Sequence, residues 1–203
     1  GLAISMLDKT VSLPFLDPNR EKLLEYDLTR AITQVTVDDK PIVGVMSALP
    51  VFGQQPNPMM AQMGQAPPQQ PAWFIIDQLQ QDFEVRELQL TADSIDADLD
   101  LLVVIHPKDI TDATQYAIDQ FLLGGGQLIA FLDAMAIVDQ TPSPQGNNML
   151  GPPPSTSNME KLLKAWGLEF ETTKIAADRL FAREISFQRG APPQIQPGIL
   201  FMD

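Results

Sequence analysis

The run from Leu99 to Asp133 constrains the fold more than any other part of this chain. Leu101 to Ile105 is wholly apolar, as a strand buried on both faces must be. His106-Pro107-Lys108 interrupts it. Thr111 to Leu123 then places Ala113, Ala117, Ile118, Phe121 and Leu122 on one helical face, with Thr111 positioned as N-cap. Gly124-Gly125-Gly126 ends that helix, and Gln127 to Leu132 is a second apolar strand. Strand, helix and strand in this order form a βαβ unit. The sheet is therefore mostly parallel and the fold α/β. Both strands end at the sheet edge where such folds hold ligands.

The rest of the chain fits this frame. Leu2 to Met6 and Thr10 to Leu13 read as short strands. Glu21 to Val35 has helical spacing in Leu23, Leu24, Leu28, Ile32 and Val35, with Asn19 as candidate cap. Pro41 to Ser47 is a buried strand, Ala72 to Gln81 a helix, and Phe83 to Leu88 a strand exposed on one face. Met159 to Trp166 is a short helix, capped by Ser157 or Asn158 and ended by Gly167, and Leu168 to Phe170 begins a strand. Ala176 to Ile185 holds a further element. Two tracts, 53–71 and 139–158, carry ten of the eighteen prolines and show no periodicity, so both read as long loops. They follow the strands at Ile42 and Gln127, which predicts an elaborated carboxyl edge. The expected organisation is one α/β domain over 1–189, with 190–203 a tail or truncated continuation.

Composition removes several chemistries. Without cysteine there is no disulfide, thiolate metal site or cysteine nucleophile. One histidine, His106, cannot make a multi-histidine metal centre, so no metal or cofactor is expected. A net charge of −13 argues against nucleic acid, whose phosphates require clustered Lys and Arg. No apolar run approaches the roughly 20 residues of a membrane span. The chain begins at Gly1 without a signal-peptide pattern and reads as a piece of a longer protein.

Few residues invite a chemical reading. The triple glycine closes a helix, whereas phosphate loops open one. Asp93, Asp96, Asp98 and Asp100 lack the glycine and closing glutamate of a calcium loop and read as a solvated turn. Trp73 and Trp166 sit among apolar neighbours, as packing residues do. His106 lies at a strand's carboxyl end, with Asp109, Asp112 and Asp133 available to orient it, yet Ser47 and Ser94 lack a nucleophile's context. His106, Lys108, Asp109 and Asp133 are the candidate ligand- or partner-binding residues, and no catalytic residue is assigned.

The segments at 13–32, 40–50, 98–134 and 159–171 together resemble the GldG-type auxiliary components of ABC transporters, a gliding-motility-associated group. The most specific parts are Leu16 to Arg30 (LDPNREKLLEYDLTR) and the Pro107-Lys108 to Gly126 unit. The resemblance implies a three-layer domain similar to the class I glutamine amidotransferase-like and flavodoxin-like folds. It also implies a periplasmic, extracytoplasmic position, anchored to the inner membrane by flanking segments, with a permease and an ATPase as partners. It carries no catalytic residue over, and amidotransferase chemistry would need the cysteine that this chain lacks. The expected role is non-enzymatic: protein–protein interaction or substrate handling. A small-ligand or carbohydrate-binding module is the alternative, and a hydrolase using His106 ranks behind it.

Overall fold

A computed structural model of the chain describes residues 1–53, 70–136, 138–139, 155–175, 178, 182–185 and 194–200. Most of both proline-rich tracts, at 54–69 and 140–154, lies outside the described residues. The elements are β1 (Leu2–Met6), β2 (Lys9–Leu13), a 3-10 turn (Pro18–Leu23), α1 (Leu24–Thr36), β3 (Ile42–Ser47), α2 (Phe74–Asp82), β4 (Glu84–Leu88), β5 (Leu101–Ile105), α3 (Asp112–Leu123), β6 (Gln127–Phe131), α4 (Glu160–Ala165), β7 (Ala182–Ile185) and β8 (Gln194–Leu200). Strands β3 to β6 form one parallel sheet in the order β4-β3-β5-β6, flanked by helices, which is the α/β class expected. Strand order reverses between β3 and β5, the topological position where open α/β sheets leave a crevice.

The chain separates into two compact units. The first holds the antiparallel β1–β2 hairpin, α1, α2 and β4. Leu2 pairs with Leu13 and Ile4 with Val11, so one hairpin face is apolar, and α1 packs against the hairpin. Leu7 turns the hairpin at φ 54, where glycine is the favoured residue. Asp17, not Asn19, caps the helical segment. Its Oδ1 accepts from the Asn19 N–H at 2.9 Å, and Pro18 occupies the first helical position, where a missing N–H costs nothing. Arg30 Nε donates to Asp82 at 2.7 Å and ties α1 to α2. The acidic turn is structural in part. Asp98 and Glu84 both bind Arg86, and Asp100 accepts the Ile42 N–H at 2.8 Å. Bonding first to Glu84 and then to Asp98 holds the Arg86 guanidinium above its ordinary pKa.

The second unit has its own core. Met46 of β3 and Leu102 and Val104 of β5 pack with Ile110, Ile118 of α3, and Met159, Leu162 and Leu163 at α4. Each such side chain contributes about 1.5–3 kcal/mol when fully buried. Thr111 caps α3, its Oγ1 accepting from the Thr114 N–H. The triple glycine completes a Schellman termination: Gly125 N–H reaches Leu122 O and Gly126 N–H reaches Phe121 O, both at 3.0 Å, with Gly125 at φ 98.

Two local expectations fail at α4. Neither Ser157 nor Asn158 caps it. Instead, Gln115 Oε1 of α3 accepts the Leu162 N–H at 3.1 Å. Nor does Leu168 open a strand. Its N–H bonds Leu163 O at 2.8 Å and Gly167 N–H bonds Lys164 O, so Leu168 is consumed in ending the helix. Trp166 Nε1 donates to Asp119 of α3 at 3.0 Å. Beyond position 190, residues 194–200 form β8, paired antiparallel with β7 and shifted in register between Ala182 and Arg183. Ala176 and Ala177, which begin the element expected there, lie outside the described residues.

Candidate functional site

His106 terminates β5, and its own N–H still bonds Phe131 O of β6 at 2.9 Å. The backbone then turns left-handed, with φ 47 at His106 and φ 58 at Asp109. A residue before proline disfavours helical backbone angles, and positive φ at a non-glycine costs of order 1–3 kcal/mol, so surrounding bonds must hold the turn. Pro107 O accepts the Asn158 N–H at 2.5 Å, and the His106 ring is anchored from below.

That ring is 2% exposed. Its Nδ1 lies 3.0 Å from Ser157 Oγ, and Ser157 Oγ also accepts the Asp133 N–H at 2.8 Å. With its oxygen accepting from Asp133, the Ser157 hydroxyl is free to donate to Nδ1, the arrangement that puts the ring proton on Nε2. Nε2 faces Asp139 Oδ2 at 3.5 Å without a hydrogen bond. The Asp139 carboxylate is buried, and its Oδ2 accepts from Lys108 Nζ at 2.6 Å and from Ser155 Oγ at 2.8 Å. Backbone bonds from Ala136 N–H to Ser155 O and from Ser157 N–H to Asp133 O run alongside. Segments 133–139 and 155–158 are thus clasped together over the histidine.

The sequence candidates separate in this arrangement. His106 and Lys108 meet through Asp139. Asp133 contributes its backbone N–H to the cluster, while its carboxylate accepts from the Met135 N–H. Asp109 is exposed, and Asp112 pairs with Lys161 at the surface. None of these three carboxylates orients the imidazole. Ser157 bonds the ring and Asp139 faces it, and both sit at the ends of a tract that reads as irregular from its prolines. A polar residue at each boundary of such a tract is the one sequence signal that points to them.

Serine, histidine and aspartate are all present, but their geometry differs from a hydrolytic triad. The two ring nitrogens are exchanged, with Ser157 on Nδ1 and Asp139 facing Nε2; the serine is 1% exposed and has its oxygen occupied by the Asp133 N–H. The arrangement can hold two chain segments. It does not present a hydroxyl to a substrate. Beside it lies an open cleft of about 840 Å3, lined by Lys108, Asp109, Asn158, Glu160, Lys164 and Phe170 among others. No group of three or more metal-ligating side chains occurs among the described residues.

With this geometry in place, comparison with protein families finds one match, over residues 40–202, to a family described as an ABC-type uncharacterized transport system. The chain belongs to that family. It is an auxiliary component of an ABC-type transport system. Comparison with curated proteins and with solved structures finds no match. The family match begins just before β3, so it covers the whole parallel sheet and the His106 cluster. The β1–β2 hairpin and α1 precede it.

Proposed function

We propose that this chain is the non-enzymatic, extracytoplasmic domain of a GldG-type transport component, working through protein–protein contact or substrate handling. The observation that carries this reading is the closure of the His106 cluster. The chain's single histidine is spent on clasping 133–139 to 155–158, and its serine partner is sealed from solvent. The family membership supplies the setting, a transport complex. In the full-length protein, membrane segments flanking this chain anchor it on the periplasmic side of the inner membrane, and its partners are the permease and ATPase subunits. Among the described residues no helix is long and apolar enough to cross a membrane. The test is affinity purification of the full-length protein from its own membranes. Permease and ATPase subunits are expected to accompany it in fixed proportion, and their absence overturns the reading.

The cleft beside Lys108 and Asp109 favours a second reading, a small-ligand or carbohydrate-binding module. A panel of mono- and disaccharides at millimolar concentration would raise the thermal midpoint under that reading and leave it unmoved under the first. The hydrolase reading meets a buried serine and ranks last.

A further inference from the structure

Half of the exposed large apolar side chains among the described residues fall within positions 2–37, ahead of the family match. The most conspicuous cluster surrounds a notch of about 250 Å3 between the end of β2 and the start of α1. Leu13, Phe15 and Leu24 form its apolar walls, and Phe15 is 74% exposed. A ring this exposed buries little area on folding, and exposed aromatics are typical anchors of protein interfaces.

Side-chain hydrogen bonds brace the turn that forms the notch. Asp17 Oδ1 accepts from both the backbone N–H and the side-chain amide of Asn19, at 2.9 and 3.0 Å. Arg20 reaches both Asp27 oxygens, at 2.9 and 3.3 Å. A turn fixed in this way loses little entropy on binding. Its rim is electrostatically one-sided, with Asp17, Glu21 and Asp27 set against Arg20 alone. Arg20 is occupied by Asp27, and the Glu21 carboxylate makes no hydrogen bond or ion pair among the described residues. An apolar pocket under a negative rim selects an apolar side chain next to a positive one.

We propose that this notch docks a protein segment that inserts one apolar side chain beside a Lys or Arg facing Glu21 and Asp17. The proposal rests on the transport reading only for where the segment is sought, namely on a subunit of the transport system. The test places a photoreactive benzophenone side chain at position 15 of the full-length protein in its native membranes. After irradiation, the cross-linked peptide is mapped by mass spectrometry. The expected product joins position 15 to a single apolar–basic segment of a co-purifying transport subunit. Glu21→Lys should lower its yield about tenfold or more, the loss of roughly one strong charge-assisted contact. The Glu21 side chain is exposed and contributes only its charge in the first helical turn, so this variant should stay within a few degrees of the parent thermal midpoint. Transport subunits that co-purify while position 15 cross-links to lipid, to a second copy or to nothing overturn the notch and leave the transport reading standing. A yield indifferent to Glu21→Lys does the same. A cross-link to an apolar–basic segment of a protein outside the transport system, still sensitive to Glu21→Lys, keeps the notch and overturns the transport reading.

Discussion

Replacing Ser157 with alanine tests whether the His106 cluster is a clasp. The substitution removes one oxygen and leaves two groups without a partner: the part-buried Asp133 N–H, now bonded at 2.8 Å, and the buried His106 Nδ1, at 3.0 Å. A buried polar group stripped of its partner costs about 1–3 kcal/mol. The two share one oxygen and one small void, so their sum is less than additive, and the expected loss is about 2–4 kcal/mol. At about 2–4 °C per kcal/mol for a chain of this size, the thermal midpoint falls by roughly 5–15 °C. Urea unfolding measures the loss, and amide exchange locates it, because the Asp133 amide should exchange far faster than in the parent. Thr156→Ala is the internal comparison. Its hydroxyl makes one bond, to Ala134 O at 2.9 Å, and its removal should cost about 0.5–1.5 kcal/mol. If Ser157→Ala costs less than Thr156→Ala and the Asp133 amide stays protected, the clasp is not what holds these segments together.

Gln115→Ala should cost about 1–3 kcal/mol in urea unfolding, because the buried Leu162 N–H of α4 loses its acceptor. Leu7→Gly should raise stability by about 1 kcal/mol, since φ 54 at the hairpin turn suits glycine and the Leu7 side chain is almost wholly exposed. The Glu171 carboxylate is held below its usual range, chiefly by the Thr173 hydroxyl, then by the Thr173 N–H. A depressed carboxylate stabilises the fold above its unfolded pKa and loses that contribution as pH falls through the folded one. An NMR titration should therefore place its midpoint below that of an ordinary glutamate, and Thr173→Val should move it back up.

The βαβ unit was legible because its signals are local. Thr111 caps the residues immediately after it, the glycines end the helix they follow, and β5 runs over the same five residues that the apolar pattern marks. The clasp was not legible, because it joins residues 51 positions apart, beyond the reach of any local pattern. Ser157 illustrates the difference. Its place just before a helix predicts a cap, and a nearer competitor, the His106 ring, takes the hydroxyl. Once Ser157 is used, Gln115 fills the vacancy from another helix, a pairing that no window along the chain contains. Leu168 is similar: apolar residues after a glycine suit a strand start and a Schellman partner equally, and only the carbonyl of Leu163 decides.

Asp139 and Ser155 touch at 2.8 Å, and a side chain added at Gly53 would collide with Gln70 O at 2.5 Å. In both places the chain leaves and returns at nearly one point. Doubling the length between such fixed ends costs only about 0.6 kcal/mol of closure entropy. Each pair of ends is therefore a socket: an epitope, a fluorescent label or a longer natural insertion placed between them leaves the clasp and the sheet where they are. The same property lets this scaffold change what it displays while keeping the fold that displays it.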